Sequence, residues 1–169
     1  KIVEGQTLSE LIRQPTLGHG SSTHQLLTYF SNVAQTIAYA HSEGIIHRDL
    51  KPSNVMVGRF GEVQVMDWGL AKRLNVDEPD REDNDFFGFP QDHASDATPL
   101  SSMTGVGDVL GTPSYMPPEQ ARGDIESIDE RSDIYSLGAT LFNLLTNQRT
   151  VEGEGRRELL RNILEGNLR

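Results

Sequence analysis

Cysteine is absent from the 169 residues, which excludes disulfides and thiolate-held metals as sources of stability or chemistry. No window approaches the run of roughly eighteen apolar residues that a membrane-spanning helix needs. The opening stretch, Lys1-Ile2-Val3-Glu4-Gly5, lacks the basic-then-apolar pattern of a secretory signal. Positive charge is scarce: 15 Lys and Arg stand against 25 Asp and Glu, a formal net charge of −10. Phosphate backbones are held by clustered Lys and Arg, so this balance argues against a nucleic-acid partner. Apolar residues make up 36% and charged residues 24%, the low-apolar side of an ordinary globular protein. The length suits one well-cored domain.

The acid is unevenly spread. Asp77, Glu78, Asp80, Glu82, Asp83, Asp85, Asp92 and Asp96 face a single Arg81 within twenty residues. Such a run reads as a solvated loop. From Asp77 to about Gly107 the periodicity is lost as well. Elsewhere the chain is patterned. Leu8, Leu11 and Ile12 share one side of a short amphipathic helix after an extended start. Ser22, with Gln25 three places on, is a capping-box pair that opens a long helix with apolar positions Leu26, Leu27, Phe30, Val33, Ala34, Ile37 and Ala38. Gly44 suits the left-handed residue that ends it. Val55-Met56-Val57 and Val63-Gln64-Val65-Met66 flank a glycine-bearing turn at 58–61, the pattern of a β-hairpin. A late helix is expected over 133–146, with an apolar stripe of Ile134, Leu137, Gly138, Leu141, Leu144 and Leu145. A last amphipathic segment runs from Arg156 to Leu168.

The chemistry concentrates in His47-Arg48-Asp49-Leu50-Lys51-Pro52-Ser53-Asn54, which places a lysine and an asparagine two and five residues after a carboxylate. Asp67-Trp68-Gly69 begins thirteen residues beyond Asn54. Phosphoryl transfer passes through a loose transition state and asks a protein for positioning and charge. A carboxylate must orient a hydroxyl and take its proton, which fits Asp49. A cation must face the phosphoryl oxygens, which fits Lys51. Magnesium accepts a few hard oxygens and keeps its waters, which fits Asn54 and Asp67.

With these motifs the chain resembles the eukaryotic-like (Hanks-type) Ser/Thr protein kinases, in wording close to their bacterial members. Gly111-Thr112-Pro113-Ser114-Tyr115-Met116-Pro117-Pro118-Glu119 is similar to the end of a kinase activation segment. Ser132-Asp133-Ile134-Tyr135-Ser136-Leu137-Gly138 is similar to the start of the large helix of the C-lobe. The resemblance implies an α+β protein-kinase-like fold, of which residues 1–169 make up the mainly helical C-lobe with a hairpin bearing the metal site. It implies an activation segment over 67–119 with an acidic insert at about 77–107. ATP and Mg2+ are the implied cofactors. A protein carrying Ser or Thr is the implied substrate, with self-association for autophosphorylation and a cytoplasmic kinase domain.

The implied roles follow residue by residue. Asp49 is the catalytic base, Lys51 the γ-phosphate lysine, and Asn54 and Asp67 the metal ligands. Val3 falls where hinge backbone meets adenine and Glu4 where a carboxylate reaches ribose. Met56 falls under the base, and equally reads as a core strand residue. Thr112 bridges toward the catalytic base. Arg48 belongs to kinases switched by activation-loop phosphorylation, and among Ser95, Thr98, Ser101, Ser102 and Thr104 the favoured site is Thr104, whose phosphate would dock on Arg48. Asp133 holds the catalytic-loop backbone, and Trp68, in place of the usual phenylalanine, packs beside His47. Glu119, whose usual partner is a late arginine, is expected to lack one. The 169 residues hold no glycine-rich loop before the catalytic motif and no Val-Ala-Ile-Lys strand; Gly105 to Gly111 mimics such a loop with the wrong spacing and place. By themselves they are therefore expected to transfer little phosphate. A catalytically silent kinase-like scaffold is the alternative reading.

Overall fold

In the computed structural model, residues 5–14, 22–74 and 113–169 are described. They all belong to one compact unit, formed by residues 1–75 and 113–169.

Strand β1 (Gly5–Thr7) leads directly into helix α1 (Leu8–Arg13). Thr7 and Glu10 form a full capping box, each side chain accepting from the other's backbone N–H. Leu8, Leu11 and Ile12 are all buried, as the spacing predicts. Helix α2 (Thr23–Ser42) is capped by Ser22, whose hydroxyl accepts from the Gln25 N–H at 3.2 Å. Only this half of the expected capping box forms. The Gln25 amide instead donates to the Tyr29 hydroxyl one turn on, at 2.6 Å. The buried face of α2 is Leu26, Tyr29, Val33, Ile37 and Ala40, so Tyr29 and Ala40 join the stripe and Leu27 and Ala38 leave it. Gly44 takes φ +71° beyond the helix end and returns its N–H to His41, the left-handed stop that only glycine enters freely.

Strand β2 (Ile45–Ile46) precedes the catalytic-type motif. Strands β3 (Val55–Gly58) and β4 (Val63–Val65) form the expected hairpin, in register Val55↔Val65 and Val57↔Val63. Strand β1 adds to the other edge of β3, giving an antiparallel sheet in the order β1-β3-β4. Gly5 makes that pairing possible, because a Cβ there would collide with the Val57 carbonyl. A second small sheet joins β2 to β5 (Lys72–Arg73), a pairing of residues too few to carry periodicity.

Helix α3 (Pro118–Arg122) follows a 3-10 turn at Pro113–Tyr115. Helix α4 (Glu130–Thr146) begins three residues before the expected start, capped by the Asp129 side chain. Its expected apolar stripe is buried only in part, at Leu137 and Leu144. Ile134 and Leu145 are more than half exposed, and Gly138 faces out. The buried face carries Ser132, Asp133, Ser136, Thr140 and Asn143 beside Leu137, Ala139 and Leu144. Ser132, Asp133, Ser136 and Asn143 turn inward because they hydrogen-bond to segments packed on the helix, a demand that apolar periodicity does not record. Helix α5 (Arg156–Glu165) stops earlier than expected, at Gly166 in the left-handed region.

The main core gathers Leu8, Leu11 and Ile12 of α1, the α2 stripe, Leu50, Val55, Val57 and Val65 around the hairpin, and Leu137 and Leu144 of α4. A smaller cluster of Val151, Leu159 and Ile163 seats α5 against Ala121. Ile37 is fully buried in the main core. Replacing it with Ala is expected to cost about 2–5 kcal/mol, whereas Leu145→Ala should stay within about 0.5 kcal/mol. Urea midpoints of the two variants against wild type measure the contrast.

Candidate functional site

The loop 47–54 runs from β2 to β3 with alternating demands on its side chains. Leu50 turns into the core and is 3% exposed, while Asp49 and Lys51 on either side are only partly buried. Pro52 opens the 3-10 turn Pro52–Asn54 that feeds β3. The side chains of this short arc meet. Lys51 Nζ donates to Asp49 Oδ2 at 2.6 Å. Asn54 Nδ2 donates to the same oxygen and to the Asp49 carbonyl, each at 2.9 Å. Both donors therefore hold one carboxylate oxygen, and among the described residues Oδ1 accepts nothing. Asn54 is itself buried, and with its amide nitrogen turned to Asp49, its Oδ1 also accepts nothing among the described residues.

Asp67 comes to the same edge through the hairpin. The Met66 N–H donates to the Asn54 carbonyl at 2.8 Å, continuing the β3–β4 ladder by one step. Asn54 thus lies opposite Met66, one residue before Asp67. Asp67 takes φ +63°, and its side chain is exposed, without hydrogen bond or ion pair among the described residues. Two hard, unengaged oxygens at one edge fit Mg2+, which needs few protein ligands. No group of three or more His, Cys, Asp and Glu able to hold a metal occurs among the described residues.

His47 and Arg48 fix the other end of the loop. The fully buried His47 donates its backbone N–H to Asp133 Oδ2 at 2.8 Å. Its ring Nε2 lies 2.9 Å from the Met66 carbonyl, and its Nδ1 accepts the Asp49 N–H at 3.3 Å. A carbonyl only accepts and an amide N–H only donates, so the Nε2–H tautomer satisfies both. Arg48 takes φ +68°, rare for a bulky residue. Its N–H donates to Asp133 Oδ1 at 2.9 Å, its Nε to the Leu70 carbonyl at 2.6 Å, and its carbonyl accepts from Gln120 Nε2 at 2.8 Å. Asp133 is 1% exposed and takes a third partner, His41 Nε2, at 2.8 Å.

Trp68 packs its indole on the His47 ring, with centroids 4.6 Å apart and planes at 60°. Its Nε1 also donates to the Val65 carbonyl at 3.0 Å, a bond no phenylalanine could make. Glu119 does not lack a partner: its Oε1 accepts from the Ser132 hydroxyl at 2.6 Å. The partner is a neutral hydroxyl on α4, which donates one hydrogen bond where an arginine would form an ion pair. Tyr115 is tied to α4 twice, by its carbonyl to the Ser136 hydroxyl and by its own hydroxyl to Asn143 Oδ1. Burial pushes its phenol pKa up. Met56 is half-buried on the face of β3 opposite Val55 and Val57 and stays out of the main core. Val3, Glu4, Thr104 and Thr112 lie outside the described residues.

Two residues of this network were given no role by the sequence: His41, and Gln120, although Pro-Glu-Gln-Ala at 118–121 is wording similar to bacterial members. Both act across long separations, 92 residues to Asp133 and 72 residues to Arg48. Local spacing does not report such pairings.

The family model described as Protein kinase domain matches residues 1–168. The chain is 40% identical over 153 residues to the Serine/threonine-protein kinase PknD of Protochlamydia amoebophila, covering 85% of this chain and 15% of that protein. It is 38% identical over 152 residues to the PknD of Chlamydia caviae, and 36% identical over 154 residues to that of Chlamydia muridarum. These cover 85% of this chain and 15% and 16% of the relatives, so the chain spans only about a sixth of their length.

Removing the Asp133 carboxylate leaves two backbone N–H groups of the loop and His41 without their acceptor. Asp133→Ala is expected to destabilise the fold by about 3–5 kcal/mol, read as a fall in the denaturation midpoint. A change below about 1 kcal/mol would contradict the central place given to this residue.

Proposed function

Because this chain belongs to the protein kinase family, in its Ser/Thr branch of transferases, we propose that it supplies the catalytic-loop lobe of a Ser/Thr protein kinase. In this reading residues 1–169 are the mainly helical C-lobe, 67–119 the activation segment and about 77–107 its acidic insert. The reaction is transfer of the γ-phosphoryl group of ATP to a protein hydroxyl. The observation that carries the reading is the meeting of Lys51 and Asn54 on one oxygen of Asp49, with the other oxygen unengaged among the described residues.

Asp49 Oδ1 receives the proton of the substrate hydroxyl as that oxygen bonds to phosphorus. The bond from phosphorus to the bridging oxygen breaks, and ADP leaves. Lys51, on Asp49 Oδ2, keeps the carboxylate oriented and offers a cation to the transferring oxygens. Asn54 Oδ1 and the Asp67 carboxylate would hold Mg2+, which neutralises phosphate charge when bound. Val3 and Glu4 are proposed to meet adenine and ribose, Met56 to lie under the base and Thr112 to bridge toward Asp49. Phosphorylation of Thr104, docking at Arg48, is proposed as the activating step. The protein substrate and autophosphorylation between copies belong to the same proposal, as does a cytoplasmic kinase domain. No helix among the described residues is long and apolar enough to cross a membrane.

The complete set Asp49, Lys51, Asn54 and Asp67 speaks against a silent scaffold, which needs none of them. The test is phosphate transfer to a Ser/Thr substrate by the gene product with whatever its gene encodes on either side. Asp49→Asn should lower kcat about 10²- to 10⁴-fold, and equal turnover by the two proteins would refute the proposal. The 169 residues alone contain no glycine-rich loop preceding the motif and should transfer little phosphate. Turnover by them at an ordinary kinase rate of about 1–100 s⁻¹ would overturn that part.

A further inference from the structure

The peptide group joining Arg48 to Asp49 is held at both ends, and one of its holders has no part in the chemistry above. Its carbonyl accepts from Gln120 Nε2 at 2.8 Å, and its N–H donates to His47 Nδ1 at 3.3 Å. Gln120 is 3% exposed, and this is its side-chain bond to the loop. It stands in α3, one residue after Glu119, which is anchored to α4 through Ser132.

We infer that Gln120 is a positioning residue for Asp49, fixing the peptide plane from which the base projects. The inference rests on the reading of Asp49 as the base. A peptide unit is planar and rigid, so fixing its oxygen and its N–H fixes the plane. The Cα–Cβ bond of Asp49 leaves from the end of that plane. The N–H end is tied only by a long bond, which leaves most of the orientation to the carbonyl end. Lys51 and Asn54 then hold a carboxylate whose stem is already aimed. Because Gln120 belongs to the segment 113–122, which is tied to α4 through Tyr115 and Glu119, the aim of the base depends on that segment being seated. A methionine is nearly isosteric with glutamine and donates nothing. A glutamate keeps the polarity but turns an acceptor toward the Arg48 carbonyl.

The experiment uses Gln120→Met and Gln120→Glu in the full gene product, with kcat, KM for ATP and Tm measured together. Amide exchange at Asp49 is followed in the 169-residue chain. A positioning role predicts a fall in kcat of roughly 10- to 100-fold with KM for ATP within about 2-fold of wild type. It also predicts faster exchange of the Asp49 amide and a Tm close to wild type for Gln120→Met. Wild-type kcat in both variants overturns the inference. So does loss of the fold in both, or a lowered Tm with kcat per folded molecule unchanged, since these are the marks of a packing role. If the wild-type protein transfers no phosphate, the reading of the site fails, and exchange decides the clamp separately. Faster exchange confined to residues around Asp49 supports it, and unchanged exchange overturns it.

Discussion

The Asp133 carboxylate is the interaction on which the rest of this structure depends. A buried carboxylate is costly to desolvate, by several kcal/mol even after relaxation. Asp133 offsets that cost with three donors, the backbone N–H groups of His47 and Arg48 and the ring of His41. It sits in the first turn of α4, where the exposed N–H dipoles also favour negative charge. The loop needs this outside acceptor. Arg48 in the left-handed region takes its N–H out of any ladder, and α2 has ended at Ser42. The start of one helix therefore fixes the loop that follows another, and His41, on the last turn of α2, closes the link.

The same requirement explains the composition of α4. A helix buried this deeply would ordinarily present leucine and isoleucine to the core. Here Ser132 meets Glu119, Ser136 meets the Tyr115 carbonyl, and Asn143 meets both the Tyr115 hydroxyl and the Gln148 carbonyl. Buried polar groups are tolerated when each finds its partner. Their use here is to register a segment that lacks long secondary structure. Residues 113–117 hold only a 3-10 turn, so the helix supplies the order that strands would supply elsewhere. The Ser114 and Thr140 hydroxyls are buried without a partner among the described residues, the places where that matching is incomplete.

What the sequence made legible divides along the same line. The hairpin, the buried face of α1, the centre of the α2 stripe at Leu26, Val33 and Ile37, and the clustering of Asp49, Lys51 and Asn54 all follow from spacing within a dozen residues. Period, capping and turn chemistry act at that range. The α4 face departs from its apolar stripe because amphipathic periodicity assumes that polar residues seek water. Ser132, Asp133 and Asn143 instead seek backbone and side-chain groups that arrive from elsewhere in the chain. Leu27 shows the converse, an apolar residue on the expected stripe that is left 38% exposed. The pairings of Gln120 with Arg48 and of His41 with Asp133 span 72 and 92 residues, beyond the reach of local spacing.

The two non-glycine residues held left-handed within the site, Arg48 and Asp67, explain why so many bonds converge there. Each conformation costs about 1–2 kcal/mol for an L-residue. Such geometry persists only where its surroundings over-determine it. Arg48 is fixed by Asp133, Leu70 and Gln120. Asp67 makes no side-chain bond among the described residues, so its conformation has to be set by its neighbours. Met66 before it is bound on both sides, its N–H to Asn54 and its carbonyl to His47. Trp68 after it is bound by its indole N–H to Val65 and by its ring to His47. His47 thus touches the residues on either side of Asp67 and, through Nδ1, the backbone of Asp49. One buried imidazole ties the backbone of the candidate base to that of the candidate metal ligand. Among the described residues Asp49 Oδ1 and the Asp67 carboxylate accept nothing, while Lys51 and Asn54 hold Asp49 by its other oxygen alone.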